Sequence, residues 1–321
     1  MKAIVYERYG PDAVELRDVP QPEAGDDQVL VRVRASSVNP VEWYSVYAPP
    51  FVRVFSRQLR RPQDPSLGFD VAGTVEAVGR DVTAFGPGDD VFGSANAAWA
   101  EHAVGSATRL ARKPAAVSFE EAAGVPIAGL TALQAVRDNG GVRPGQQVLI
   151  NGASGGVGTF AVQIAKALGA DVTAVCSTRN VELARSLGAD RVVDYTREDF
   201  TRPGERYDVM IDIAGSRSFR RFRRVLTPEA TVVVVGAKMS YSLLGPLKHI
   251  AGTILQSIGR SQKVKFFVAD VNTDDLEFLV GLMESGEVRT VIDRRYELGD
   301  AVDALRYLGE GHAQGKVIVT A

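Results

Sequence analysis

Cysteine is almost absent from this chain: Cys176 stands alone among 321 residues. A lone thiol excludes an internal disulfide framework and any zinc cluster built on several thiolates, and it predicts a reducing, cytoplasmic setting. Histidine is nearly as scarce; His102, His249 and His312 are scattered, and none lies in a ligand-spaced motif. Excess charge of one sign is missing too. The 37 Lys and Arg against 39 Asp and Glu leave a formal −2, which gives no bulk attraction to nucleic acid. No apolar run reaches the roughly 20 residues of a membrane-spanning helix. The most apolar stretch, SLLGPLKHIAGTILQSIG at 242–259, is interrupted by Gly, Pro and Lys. The opening MKAIVYERYG reads directly as a strand, without basic leader, apolar core and cleavage site. These absences predict a soluble chain with no stable membrane insertion and no nucleic-acid partner.

What is present has a clear order. The length exceeds the usual span of one domain, roughly 100–200 residues, so two are expected. An apolar content of 45% is enough for sizeable cores. Up to about residue 125, segments such as AIVYE, QVLVRVRASSV and AGTVEAVG alternate or run apolar between Gly, Pro and Asp turns, as strands do. From 126 to 270, continuous apolar runs (QVLIN, DVTAVCS, RVVDY, DVMIDIAG, TVVVVGA) alternate with helical patterns. That rhythm is the mark of βαβ units and a parallel sheet covered on both faces. Two further helical stretches and the strands TVIDRRYEL and GKVIVTA follow.

The segment VLINGASGGVGTFAVQIAKALGADVTAVCSTRN, 148–180, carries the most specific chemistry. A strand leads into Ala153-Ser154-Gly155-Gly156-Val157-Gly158, the place of a dinucleotide-binding glycine loop, with Ala153 where the first glycine is usual. Gly155 lets backbone approach a pyrophosphate, Gly158 lets the following helix pack closely on the strand, and the helix end offers N–H groups to phosphate. The end of the second strand distinguishes NAD from NADP. An acidic residue there would hold a ribose 2′-hydroxyl, but this chain reads Cys176-Ser177-Thr178-Arg179. Ser177 can donate a hydrogen bond and Arg179 a charged fork to a 2′-phosphate, so NADPH is the expected cofactor.

The segments LGFDVAGTVEAVG, GDDVFG, AGLTALQAV, NGASGGVGTFAVQIAKALGA and HAQGKVIV follow one another along the chain. Together they resemble the medium-chain dehydrogenase/reductase superfamily, specifically its zinc-independent quinone-oxidoreductase branch. The resemblance implies an α/β architecture: a GroES-like β-rich domain from residues 1–125 and 271–321, and a Rossmann doubly wound parallel sheet from 126–270. It further implies an active-site cleft where the two meet, and a homodimer joining Rossmann sheets edge to edge. Zinc-dependent members carry Gly-His-Glu where this chain has Gly68-Phe69-Asp70, and a cysteine near Val38-Asn39. Without those ligands zinc is not expected, and alcohol oxidation loses its Lewis acid. The expected reaction is hydride transfer from NADPH to a small-molecule acceptor, a quinone or an α,β-unsaturated carbonyl (an enone or enal).

By the same resemblance Asn39 of the VNP turn faces the nicotinamide, and Thr131 and Lys316 belong to the cofactor-binding set. Tyr195 of VVDYTREDF stands near the 2′-phosphate. Tyr44 can hydrogen-bond an acceptor oxygen, or simply pack with Tyr47. Ala214, Gly215, Gly236 and Ala237 lie in loops after the fourth and fifth strands, at carboxyl ends where cofactor binds in such sheets. The stretch 216–226, SRSFRRFRRVL, reads as an amphipathic helix with Phe219, Phe222, Val225 and Leu226 inward. The basic insertion at 47–68, with Arg53, Arg57, Arg60 and Arg61, reads as a substrate lid or as solvated loop charge; 242–259 reads as a second lid element or an interface helix. Two alternatives stay open: an enoyl-thioester reductase, and a non-catalytic NADPH-binding or redox-sensing protein.

Overall fold

The computed structural model describes residues 1–55, 61–62, 64–236 and 247–321. Arg57, Arg60, Ala237 and the opening of the 242–259 stretch lie outside the described residues. The chain forms two compact units, one from Met1–Leu130 with Asp270–Ala321, the other from Thr131–Ala269.

The first unit begins with β1 (Lys2–Tyr6) and β2 (Val14–Asp18), an antiparallel pair. After these come β3 (Gln28–Val38), α1 (Pro40–Tyr47), α2 (Pro50–Phe55), β4 (Asp70–Val78), β5 (Asp90–Ser94), β6 (His102–Ser106) and β7 (Leu110–Arg112). Then α3 (Phe119–Ala123) leads to α4 (Pro126–Leu133), which runs across the boundary into the second unit.

The second unit contains β8 (Gln147–Asn151), α5 (Gly156–Ala167), β9 (Asp171–Cys176), α6 (Val181–Ser186), β10 (Arg191–Asp194) and β11 (Tyr207–Asp212). It continues through α7 (Phe219–Phe222), β12 (Leu226–Val234), α8 (Leu247–Ser257) and β13 (Lys263–Phe266). The chain then returns to the first unit with α9 (Thr273–Glu284), β14 (Ile292–Glu297), α10 (Ala301–Gly309) and β15 (Lys316–Thr320).

In the first unit a seven-stranded sheet runs β14-β15-β3-β4-β5-β7, with β6 also on β3. Its β-branched residues face one core, where Val29, Val31, Val71, Val91 and Leu110 are wholly inaccessible. The pairing of β15 with β3 sets Val317 opposite Val38 and so delivers Lys316 to the Asn39 turn. In the second unit six parallel strands run β10-β9-β8-β11-β12-β13. Sequence order reverses direction between β8 and β11, where such sheets hold ligands beyond their carboxyl ends. The apolar strands are buried on both faces, as continuous runs of Val and Ile require. Phe160, Phe219, Phe222 and Met210 are fully inaccessible, and each contributes roughly 1.5–3 kcal/mol through burial.

The inward residues of 216–226 are buried as their spacing implies. The element itself differs from one amphipathic helix: a single turn, α7, passes through a 3₁₀ turn at Arg223–Val225 into β12, which already begins at Leu226.

Candidate active site

In the first unit the Asn39-Pro40 turn opens α1, with Asn39 as N-cap and proline at the first helical position. Glu42 reaches back to accept the Asn39 backbone N–H at 2.9 Å, the carboxylate half of a capping box. Its second oxygen accepts the Phe69 N–H at 3.2 Å. The Asn39 side chain donates to Asp70 at 2.9 Å and accepts from the Lys316 ammonium at 2.6 Å. Asp70 also accepts from Ser37 Oγ at 2.5 Å and from the Ile127 N–H at 3.0 Å, and Lys316 Nζ lies 3.5 Å from it.

Asn39, Glu42, Asp70 and Lys316 are all buried, so two carboxyl groups share one ammonium in a low-dielectric setting. Burial lifts the Glu42 carboxyl to about 8, the Asp70 charge adding to the rise against its two backbone donors and Lys316. Burial pulls Lys316 downward, opposed by Asp70 and Glu42. The structure thus brings Asn39 and Lys316 together. The polar atoms of both are engaged by protein partners within this unit. Tyr44 is half-buried on α1, edge-on to Trp43 at 5.2 Å, and Tyr47 stacks on the same indole at 4.7 Å. Arg53 donates to the Ala48 carbonyl at 2.8 Å and lies over the Tyr9 ring.

In the second unit the turn between β8 and α5 is shaped by Gly152, at φ +95°, and by Gly158. A Cβ on Gly158 would lie 2.1 Å from the Gly152 carbonyl oxygen, so only glycine permits this helix–strand approach. Around Gly155, the N-cap of α5, a Cβ would meet nothing closer than 3.9 Å. Among the described residues no side chain caps that helix end, which leaves its first N–H groups and positive dipole end without a side-chain partner. Ala153 is fully buried beneath the turn, and Thr131 is half-buried on α4.

At the end of β9, Ser177 is half-buried, Arg179 exposed and Tyr195 half-exposed, and the Tyr195 N–H donates to the Cys176 carbonyl. The structure adds a carboxylate here that strand-end reading did not count. Parallel pairing sets Asp194 opposite Cys176, and Thr178 Oγ1 donates to it at 2.5 Å. Thr196 donates from both N–H and hydroxyl, and Arg197 lies 3.4 Å away. The Thr178 hydroxyl first, with Thr196 and Arg197, holds the Asp194 carboxyl below its usual range. Its acceptor capacity and charge are thereby engaged by protein.

At the switch between β8 and β11, Asp212 is fully buried and accepts from Asn151 at 2.7 Å, Gly215 N–H at 3.1 Å and His249 Nε2 at 2.8 Å. Ala214 packs on the Gly152 turn, and Gly236 approaches the Ile213 carbonyl closely enough that a Cβ would lie 2.9 Å from it. His249, which no sequence motif marks, therefore joins the carboxyl-end loops. His102 pairs instead with Glu76 in the first unit. Among the described residues no group of three or more His, Cys, Asp or Glu is placed to hold a metal ion, and no helix is long and apolar enough to cross a membrane.

A β-rich unit with a return strand and a six-stranded doubly wound sheet with a glycine cradle define a two-unit dehydrogenase or reductase. Residues 25–138 match the alcohol dehydrogenase GroES-like domain, and residues 187–319 match the zinc-binding dehydrogenase family. The chain is 34% identical to the chloroplastic quinone-oxidoreductase of Triphysaria versicolor over 99% of its own length and 98% of that protein's. It is 32% identical to the chloroplastic NADPH-dependent alkenal/one oxidoreductase of Arabidopsis thaliana, over 99% of this chain and 79% of that one. The quinone oxidoreductase of Escherichia coli, solved with NADPH, superposes at a TM-score of 0.84 with 25% identity, covering 100% of both chains. This chain belongs to the medium-chain dehydrogenase/reductase superfamily, in its quinone-oxidoreductase-like branch.

Proposed function

We propose that this protein is a zinc-free, NADPH-dependent reductase that delivers hydride to a quinone or to the β-carbon of an α,β-unsaturated carbonyl. The observation that carries the reading is the glycine turn at Ser154–Gly158, open around Gly155 at the N-terminus of α5, followed by a β9 end where the Asp194 carboxylate is already engaged. The names of the Triphysaria, Arabidopsis and Escherichia coli relatives agree with quinones, alkenals and NADPH. The α5 N-terminus and Gly155 take the pyrophosphate, Ser177, Arg179 and Tyr195 the 2′-phosphate, and the loops at Ala214 and Gly236 the remainder of the dinucleotide.

Bound NADPH supplies the hydride. The protein orients the two partners and excludes water. Asn39 and Lys316 stiffen the turn at the head of α1, and Tyr44 on that helix donates to the acceptor oxygen. Zinc does not fit the chain. At Gly68-Phe69-Asp70 the Asp70 carboxylate is closed by Ser37, Asn39, Ile127 and Lys316, and among the described residues no cysteine or histidine bonds to it. The single cysteine, buried, suits a reducing cytoplasm. The exposed Phe266 and Val268 at the β13 edge support a homodimer, which light scattering tests.

The function is tested by following NADPH absorbance against a benzoquinone, a 2-alkenal and a crotonyl thioester. Oxidation with the first two supports the proposal. Turnover confined to the thioester makes the protein an enoyl-thioester reductase, and tight NADPH binding without oxidation by any acceptor overturns the enzymatic reading.

A further inference from the structure

Asn180 ends the CSTRN segment, and its amide nitrogen donates to two hydroxyl oxygens at once: Ser154 Oγ of the glycine turn at 2.8 Å and Ser177 Oγ at the end of β9 at 3.2 Å. Asn180 is 5% exposed, and its Oδ1 is buried with no hydrogen-bond partner among the described residues. A buried acceptor left unpaired destabilises a fold, which fits a residue retained for binding rather than for packing.

A hydroxyl has a single hydrogen. Once Ser154 and Ser177 accept from the amide, that hydrogen is released to point elsewhere, so both become committed donors. Turning the amide over would make both hydroxyls donate to Oδ1 and present only lone pairs outward. Phosphate oxygens need donors. We infer that Asn180 is a positioning residue that sets the polarity of the Ser154 and Ser177 hydroxyls, so that the pyrophosphate loop and the 2′-phosphate loop are prepared together for one doubly phosphorylated dinucleotide. This rests on the NADPH reading and extends it to a residue that need not touch the cofactor.

Asn180→Asp is the decisive change, because a carboxylate accepts only and draws both hydroxyl hydrogens inward. Binding is read by calorimetry or nicotinamide fluorescence with NADPH and with NADH, on protein whose thermal unfolding matches wild type. Losing donors to charged groups predicts that Asn180→Asp weakens NADPH roughly a hundredfold and NADH roughly tenfold, whereas Asn180→Ala, which leaves the hydroxyls free to rotate, costs each less than about tenfold. In a Ser154→Ala background the effect of Asn180→Asp on NADH shrinks to about twofold, since the hydroxyl it would redirect is gone. Equal losses for Asp and Ala, or losses that simply multiply with Ser154→Ala, overturn the inference while leaving the cofactor reading intact. A wild-type protein that binds neither dinucleotide overturns the cofactor reading itself.

Discussion

Replacing Glu42 by Gln tests the electrostatics of the buried cluster most directly. Glu42 is inaccessible, and its carboxyl is raised from 4.5 to about 8, first by burial and then by Asp70. The folded protein therefore keeps a proton that the unfolded chain releases above about pH 4.5. The stability contributed by this group is fully present below about pH 4.5 and is lost as pH rises through about 8, because the folded state binds more protons over that interval. A displacement of that size corresponds to on the order of 5 kcal/mol between the two ends of the window.

Gln is uncharged throughout and escapes this loss. Near pH 4.5 its amide oxygen accepts one of the two backbone N–H groups while its NH2 faces the other donor, so the variant should start about 1–3 kcal/mol less stable than wild type. By pH 8.5 the variant should have gained several kcal/mol on wild type, by the same linkage on the order of 3–5. Urea unfolding at half-unit steps from pH 4.5 to 9 measures the difference, in which pH effects common to both proteins cancel. A difference that stays flat, or that favours wild type increasingly with pH, would refute the reasoning and show that Glu42 is ionised in the fold.

Three further outcomes follow from the second unit. Gly158→Ala forces a Cβ against the Gly152 carbonyl and the Ala153 backbone. It should destabilise this unit by about 3 kcal/mol, seen in thermal unfolding, and abolish NADPH binding. Arg179→Asp should weaken NADPH roughly tenfold to a hundredfold in titrations while changing NADH little; equal losses would remove Arg179 from the 2′-phosphate site. His249→Ala leaves one oxygen of the fully buried Asp212 without its donor and should lower stability by about 1–3 kcal/mol in urea. His249→Gln, able to donate at the same place, should recover part of that loss.

The glycine loop was legible because its determinants are local: a strand, a tight turn and a helix follow one another within about twenty residues, each with its own periodic signature. The Asn39 cluster was not, because Asn39 and Lys316 are 277 positions apart and meet only through the register of β15 on β3. The Asn-Pro-Val-Glu capping pattern would have marked Glu42 alone. Asp194 escaped because a strand-end rule inspects the end of β9, whereas parallel pairing carries a carboxylate in from β10. Asn180 stood in the quoted segment, yet nothing in its neighbours reveals that its amide spans two loops. His249 lacked any ligand spacing, and only the packing of α8 brings it to Asp212.

The same separation along the chain bears on how the molecule is made. The second unit is contiguous, and all its strands exist once residue 269 has been synthesised. The first unit is split around it, and among the described residues the ammonium facing its buried Asp70 and Glu42 comes from Lys316 in β15. Until that strand is in place, closing the first sheet would bury the Asp70 carboxylate without its counter-charge, a strongly unfavourable state. The first sheet is therefore expected to close only after residue 316 has been synthesised, later than the contiguous unit inserted within it.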